Sequence, residues 1–203
     1  MTRFLLPLIP YVAMLVGLHL LRSAWISFVL YHGLILAVML GRDDRSHWRS
    51  LRSGWHPGLG LGAVVFGLAG GGLLYLLAPL ADVDAALLAP ALDRLGLHGT
   101  SWRLFVAYHA LVNPWFEEVF WRGKLGCDTR RPVFTDALFA GYHVLVLVLF
   151  LDWPWVVLSF AILTAAGWLW RQLRARCRGL LVPVVSHMAA DASIMAVAYL
   201  LSR

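Results

Sequence analysis

The chain has 203 residues, of which 61% are hydrophobic and 14% are charged, and its mean hydropathy is +0.74. A soluble domain is about 45–50% apolar and about 25% charged, so this composition excludes an ordinary soluble protein. The formal net charge of +6 at pH 7 would suggest nucleic acid in a soluble domain. Here the arginines lie between apolar runs, which is typical of membrane topology signals. We predict an all-α polytopic membrane bundle in a single domain, residues 1–203, with no nucleic-acid partner.

Seven apolar runs approach the roughly 20 residues that a membrane-spanning helix needs. In chain order they are Phe4–Leu21, Ala24–Leu40, Leu59–Ala81, Ser101–Gly126, Phe134–Phe150, Pro154–Trp170 and Gly179–Leu201. We therefore predict about seven transmembrane helices. Pro114 is expected to kink the fourth, because proline removes a helix hydrogen bond. Between the third and fourth runs, Ala85–Leu95 is expected to form a short surface helix.

The third run carries two pairs of glycines at four-residue spacing, Gly58/Gly62 and Gly67/Gly71. Residues four apart share one face of a helix. Small residues on such a face let two helices approach closely. Both pairs are therefore predicted to pack against a neighbouring helix.

Basic residues collect at alternate ends of the runs. One set of ends carries Arg3, the Arg42–Arg52 group, Lys124, Arg130, Arg131 and a basic loop at Arg171–Arg178. The opposite ends hold Asp82, Asp84, Asp93, Asp152 and few arginines. Because basic loops stay in the cytoplasm, we predict a cytoplasmic N-terminus and an external C-terminus. Cys127 and Cys177 adjoin basic loops, so both are expected to be reduced and cytoplasmic. Sixteen arginines against one lysine indicate a GC-rich bacterial genome, and hence a bacterial inner membrane.

Ionisable side chains inside the apolar runs mark the candidate site, since charges at membrane depth are costly. They are Glu117, Glu118, Arg122, His143, His187 and Asp191. The spacing places Glu118 against Arg122, and His187 beside Asp191, on a shared helix face. Glu117 points about 100° away from Glu118 and is left for another partner.

The depth of these residues supports a common site. Glu117 lies nine residues before Gly126, and His143 and His187 follow the cytoplasmic starts of their runs by nine and eight residues. At about 1.5 Å per residue, all three lie roughly 12–14 Å below the cytoplasmic surface. We predict a pocket within the membrane, on its cytoplasmic half.

A carboxylate and an imidazole can share a water molecule and remove its proton, which makes a nucleophile for a carbonyl. A second imidazole with a polar neighbour can stabilise the developing oxyanion. Ser186 is expected to face away from the bases, so a covalent nucleophile is disfavoured. Zinc bound by the histidines and carboxylates is the competing hypothesis. No His-Glu-x-x-His helix is present and Arg122 would oppose a cation, so no cofactor is expected.

The segments Glu117-Glu118-x-x-x-Arg122-Gly123, Phe139-x-x-x-His143 and His187-x-x-x-Asp191 resemble the three motifs of the CPBP family of intramembrane proteases. That family includes the type II CAAX prenyl endopeptidases and the bacterial Abi proteins. The flanking Pro114 and the stretch before the last motif agree. The resemblance covers about residues 101–200, which leaves residues 1–81 as accessory helices and residues 101–201 as the catalytic helices.

The resemblance implies a glutamate-dependent endopeptidase. In it Glu117 and His143 activate water, Glu118 and Arg122 pair and orient their helix, and Phe139 packs beside the site. His187 and Asp191 stabilise the oxyanion. The family often has asparagine at the last position, and an ionised aspartate cannot donate a hydrogen bond. Asp191 is therefore either protonated by burial or serves to orient His187.

The resemblance also implies a membrane-anchored protein or peptide substrate, cut near its C-terminus. Prenylated CAAX tails and C-terminal sorting signals are both open, although a bacterium normally lacks prenylated CAAX proteins. Two other functions stay open: a non-catalytic membrane immunity or binding protein, and a proton-coupled transporter, which the lack of an inverted repeat disfavours.

Other polar and aromatic residues receive simpler interpretations. His109 is interpreted first as helix packing and second as support for the site. His32 is interpreted as an interface or loop residue. Trp170 is assigned to the aromatic belt at the membrane surface. Trp115 and Trp121 flank the glutamates and are expected to wall the pocket.

Overall fold

A computed structural model describes residues 5–40 and 45–203, and this part of the chain contains helices but no strands. Arg3, Arg42 and Phe4, which entered the predictions of topology and of the first run, lie outside the described residues. The all-helical fold class is confirmed. High apolar content in helices, together with ten tryptophans, suits a protein whose surface faces lipid.

The helices follow the apolar runs with two shorter additions, α3 and α5. They are α1 (Leu6–Leu20), α2 (Ala24–Met39), α3 (Arg45–Ser50), α4 (Pro57–Leu77), α5 (Ala85–Asp93), α6 (Gly99–Leu111), α7 (Asn113–Glu117), α8 (Phe134–Leu147), α9 (Trp153–Cys177) and α10 (Leu181–Leu201). α1 opens with a 3-10 turn and ends in a π-helical segment, Leu15–Leu20. A 3-10 turn, Ala78–Ala81, prolongs α4.

Within the described residues, three helices are long and apolar enough to cross a membrane on their own: Pro57–Ala81, Trp153–Cys177 and Leu181–Leu201. Leu6–Leu20, Ala24–Met39 and Phe134–Leu147 are apolar but shorter. The coarse expectation of a helical membrane protein is met. The count of seven spans and the orientation stay predictions.

The fourth apolar run is not one continuous helix. α6 ends at Leu111, α7 begins at Asn113, and Pro114 occupies the first turn of α7. Proline fits there because the first turn does not require its missing N–H. The predicted interruption near Pro114 is thus confirmed. After Glu117 the backbone continues as a π-helix, Glu118–Lys124, a form that is frequent at functional sites.

α4 and α10 pack backbone to backbone through Gly67 and Gly71. A Cβ added to Gly71 would lie 2.5 Å from the carbonyl carbon of Ser193, and one added to Gly67 would collide with the carbonyl oxygen of Ser186. The amide of Gly71 donates to Ser193 Oγ at 3.1 Å. The predicted packing of this glycine pair is confirmed.

The same prediction is wrong for the other pair. A Cβ on Gly62 would meet nothing within 4 Å, and one on Gly58 would approach only the ring of His56. Gly60 and Ala63 are the buried small residues at this end of α4. The reason is register, because the face that meets α10 continues from Gly67 through Ala63 and not through Gly62.

The basic segment Arg171–Arg178 is not a loop, because α9 continues to Cys177. Arg171 is 2% exposed and donates from Nε and Nη2 to the two carboxylate oxygens of Asp136 at 3.0 and 2.7 Å. Its guanidinium also donates to the carbonyls of Thr129 and Arg131. This buried pair fastens the turn between α7 and α8 to α9. The helix at Ala85–Asp93 occurs as expected, although Leu88 and Leu92 are buried.

Candidate active site

The structure brings together the ionisable residues of α7, of the π-helix Glu118–Lys124 and of α10. Exposed fractions are 1% for Glu117, 0% for Glu118, 2% for Arg122, 2% for His187 and 8% for Asp191. Charged side chains are seldom so buried unless they are paired. Each of these side chains is therefore expected to have a partner of opposite charge or a hydrogen-bond partner.

Glu118 joins two of the cationic groups. Its Oε1 lies 3.1 Å from Arg122 Nη1 and 2.9 Å from His187 Nδ1. The predicted pairing of Glu118 with Arg122 is confirmed. The contact with His187 was not predicted, since it joins residues 69 positions apart. Glu118 thus joins the π-helix Glu118–Lys124 to α10.

Arg122 is held by aromatic rings as well as by Glu118. Its guanidinium carbon lies 4.0 Å from the ring centre of Phe139 and 5.0 Å from that of Trp170. A cation over a ring face is attracted to it, more strongly where water is excluded. Phe139 is 1% exposed, so its predicted place beside the cluster is confirmed.

The two carboxylate oxygens of Glu117 differ in their hydrogen bonding. Oε1 accepts a hydrogen bond from the hydroxyl of Tyr142. Oε2 lies 3.6 Å from His187 Nε2 and has no hydrogen-bond partner among the described residues, although it is buried. Such an orphaned acceptor is expected to bind water or substrate. The sequence predicted no role for Tyr142, because nothing local distinguishes it from a core tyrosine.

His143 lies beside the cluster on α8. Its Nδ1 is 2.9 Å from the carbonyl oxygen of Phe139, so Nδ1 carries the proton and Nε2 carries the lone pair. The ring centre of His143 lies 4.0 Å from that of Tyr142 and 4.9 Å from that of Phe139. Among the described residues there is no direct hydrogen bond or ion pair between His143 and Glu117. Their joint action on a water molecule stays a prediction.

Carboxylates surround His187. Its Nε2 lies 3.6 Å from Glu117 Oε2 and 3.5 Å from Asp191 Oδ1, while Nδ1 faces Glu118. The predicted neighbourhood of His187 and Asp191 is confirmed. The cluster as a whole sets three carboxyl groups against the guanidinium of Arg122 and the imidazole of His187.

Trp170 is part of this wall and not of a surface belt, so that assignment is wrong. Trp170 is 3% exposed, and its ring stacks on His187 with centres 4.1 Å apart. Its Nε1–H donates to Ser186 Oγ at 3.0 Å, and Ser186 Oγ donates to the carbonyl of Ala63 at 2.7 Å. Ser186 therefore faces away from the cluster, as predicted. An aromatic belt consists of tryptophans whose indole rings reach the membrane surface, and the ring of Trp170 does not.

Asp191 is surrounded by donors from other helices. Asn113 Nδ2 donates to its Oδ2 at 3.2 Å, and His109 Nε2 lies 3.6 Å from the same oxygen. The second interpretation of His109, support for the site, therefore fits the geometry better than the first. Asn113 Oδ1 in turn lies 3.2 Å from Nε2 of His32. His32 is 4% exposed, so its interpretation as an interface or loop residue is wrong.

The two tryptophans beside the glutamates differ. Trp121 is 3% exposed, stacks on Tyr142 with centres 6.1 Å apart and donates to the hydroxyl of Tyr31 at 3.1 Å. It is a wall of the cluster, as expected. Trp115 is only half-buried. Cys127 and Cys177 are free thiols, the first exposed and the second half-buried.

Metal ligation would need several donors pointing at one centre. Across residues 5–40 and 45–203, no group of three or more His, Cys, Asp or Glu side chains has the arrangement to hold a metal ion. Arg122 occupies the space next to Glu118 at 3.1 Å. The zinc hypothesis stays a prediction that a chelator can test.

Comparison with known proteins identifies one family. Residues 99–193 match the family described as Type II CAAX prenyl endopeptidase Rce1-like, and this confirms the resemblance given by the three motifs. The match begins with α6 and ends within α10, so it includes every predicted site residue. No curated protein and no solved structure shows significant similarity to the chain.

Proposed function

We propose that this membrane protein, whose residues 99–193 match the Rce1-like family, is an intramembrane glutamate endopeptidase. The observation that carries the proposal is the open oxygen of Glu117. Oε2 is buried without a hydrogen-bond partner among the described residues and faces a histidine 3.6 Å away. A buried carboxylate oxygen next to proton donors is suited to bind and deprotonate a water molecule.

In this proposal Glu117 is the general base. Tyr142 donates to Oε1, which fixes the carboxylate and leaves Oε2 to accept the proton of water. His143 on α8 presents the lone pair of Nε2 because Nδ1 is bonded to the Phe139 carbonyl. Through Nε2, His143 would accept a hydrogen bond from the same water molecule. The water oxygen then attacks the carbonyl carbon of the scissile peptide bond. When the C–N bond of the tetrahedral intermediate breaks, the proton taken up by Glu117 passes to the departing amine.

His187 is proposed to stabilise the oxyanion that forms in this attack. Glu118 and Asp191 flank its ring at 2.9 and 3.5 Å and favour a cationic imidazole, which can share an N–H with the developing charge. Asp191 is proposed to orient His187, because its Oδ1 lies 3.5 Å from His187 Nε2 while Asn113 holds Oδ2. Glu118 and Arg122 are proposed to pair and orient their own helical segment, and Glu118 joins that segment to α10 through His187.

The proposed substrate is a membrane-anchored protein or peptide, cut near its C-terminus, with or without a lipid or sorting signal. The proposed location is the inner membrane of a bacterium, with the site in the cytoplasmic half of the bilayer. A site buried among helices suits a substrate that is itself held in the membrane, because both partners then share the bilayer plane.

The test is cleavage by the purified protein in proteoliposomes. Two fluorogenic substrates would be compared: a farnesylated CAAX peptide and a membrane-anchored peptide without lipid. Glu117→Gln keeps the size of the side chain but removes its basicity, and it is expected to lower kcat by about 10²–10⁴-fold. Asp152→Asn, outside the cluster, serves as the matched control and is expected to keep wild-type kcat.

Glu117→Gln cleaving as fast as wild type would refute the glutamate mechanism. Cleavage of neither substrate by the wild type would favour a non-catalytic binding or immunity protein. Loss of activity with a zinc chelator, restored by added zinc, would support the zinc-dependent alternative.

A further inference from the structure

We infer that His32, on α2 and outside the family match, is a positioning residue of the site: through Asn113 it directs an amide N–H at Asp191 and so orients His187. The inference rests on the proposed function. It assigns a task to an N-terminal helix that carries none of the three motifs.

The polarity of the contacts follows from Asp191. An ionised carboxylate is only an acceptor, so the atom of Asn113 that lies 3.2 Å from Asp191 Oδ2 has to be the amide nitrogen. The carbonyl oxygen of Asn113 then faces His32 Nε2 at 3.2 Å. An oxygen acceptor requires a donor, so Nε2 of His32 carries the proton.

The other nitrogen of His32 completes the series. With Nε2 protonated, the neutral ring has its lone pair on Nδ1, which lies 2.8 Å from the hydroxyl of Tyr108. Tyr108 therefore donates to His32, His32 donates to Asn113, and Asn113 donates to Asp191. Every donor points toward Asp191, and hydrogen bonds aligned in this way strengthen one another.

Burial makes this arrangement selective. His32 is 4% exposed and Asn113 is 3% exposed, so water cannot readily replace either partner. The ring of His32 also stacks on Phe116 of α7 with centres 4.3 Å apart and 13° between planes. Without the donor on His32, the amide of Asn113 could rotate and present its oxygen to Asp191. That contact is repulsive, and it would release Asp191 from its position beside His187.

Variants of His32 can separate the effect of its N–H donor from the effect of the volume of its ring. His32→Leu fills similar space without a donor. His32→Gln restores an amide N–H at about the distance of Nε2. Asn113→Ala removes the link through which His32 acts. His19→Leu is the matched control, because His19 is exposed and, among the described residues, its side chain has a hydrogen bond only with the Leu145 carbonyl.

Kinetics in proteoliposomes give the first readout. His32→Leu is expected to lower kcat about tenfold or more with KM within about twofold, and His32→Gln to recover most of the loss. Because His32 acts through Asn113, His32→Leu should cause no further loss in an Asn113→Ala background. Equal losses in both backgrounds, or a His32→Gln variant as slow as His32→Leu, would overturn the inference.

The second readout does not depend on cleavage. In protein labelled with ¹⁵N-histidine, His32→Leu is expected to shift the ring nitrogen resonances of His187, whereas His19→Leu leaves them in place. Unchanged His187 resonances in His32→Leu would overturn the inference even where the wild type cleaves its substrate. If the wild type cleaves nothing but His32→Leu still shifts the His187 resonances, the positioning role is supported and only the proposed protease activity is refuted.

Discussion

Glu117 and Glu118 are neighbours in the chain, yet their surroundings assign them different work. Glu118 contacts Arg122 and His187 through one oxygen, at 3.1 and 2.9 Å. Glu117 accepts from Tyr142 and keeps Oε2 without a partner among the described residues. A paired carboxylate is held in place, whereas an open one is available to a water molecule. The proposed base is accordingly the less constrained of the two.

Asp191 offers a test at the same scale. Asp191→Asn can still accept from Asn113 through its amide oxygen and can turn its amide nitrogen toward the site. We expect this variant to stay within about tenfold of wild-type kcat, whereas Asp191→Ala loses about a hundredfold, because a buried donor is left unpaired. Rates of peptide cleavage by both variants check this. Equal losses in both would contradict the orienting role.

Residue pairs on one helix were predictable, and pairs between helices were not. Glu118 with Arg122, and His187 with Asp191, are four apart, so helix geometry alone places them together. Tyr142 lies 25 positions from Glu117, and His32 lies 81 from Asn113. Those contacts depend on how helices pack. The sequence contains no local signal that distinguishes such a tyrosine or histidine from an ordinary core residue.

At the scale of elements, α10 packs so closely against α4 that Gly67 and Gly71 have no room for a side chain. Two hydrogen bonds cross the contact: Ser193 Oγ accepts from the amide of Gly71 at 3.1 Å, and Ser186 Oγ donates to the carbonyl of Ala63 at 2.7 Å. The four-residue spacing predicted the close approach at Gly67 and Gly71. It could not show which face of α4 meets α10, and so Gly58 and Gly62 were misassigned.

Gly71→Ala is expected to destabilise the protein. Its Cβ would lie 2.5 Å from backbone atoms of Ser193, and such overpacking typically costs about 1–3 kcal/mol. Gly62→Ala meets open space and is expected to be neutral or slightly stabilising, because alanine favours a helix over glycine. Thermal unfolding in detergent measures both. A Gly71→Ala variant as stable as Gly62→Ala would contradict the close contact.

At the scale of the molecule, composition was enough to predict helices in a membrane, but hydropathy alone could not locate the breaks. The run Ser101–Gly126 reads as one span, whereas the structure divides it at Val112 and then adds a π-helix from Glu118. Pro114 signalled the first break. Nothing in the residue types of Glu118–Lys124 marks the second, since the π form depends on tertiary packing.

The predicted topology can be tested with a native thiol. Cys127 is exposed and precedes Arg130 and Arg131, which the positive-inside rule places in the cytoplasm. A membrane-impermeant maleimide is expected to label Cys127 in inverted vesicles and not in intact spheroplasts. A Cys127→Ser variant controls for reaction at Cys177. Labelling in intact spheroplasts would reverse the predicted orientation.

The polar cluster also bears on how the chain is made. The cluster residues and the side chains that contact them come from α2, α6, α7, the π-helix Glu118–Lys124, α8 and α10. Glu118 therefore has no His187, and Asn113 has no Asp191, until the last helix has been synthesised. Unpaired charges are costly in lipid. The carboxylates of α7 are therefore expected to remain near water or the insertion machinery during synthesis, and the bundle to close only when α10 arrives. A nascent chain stalled before Leu181 should thus be more open to proteolysis than the finished protein.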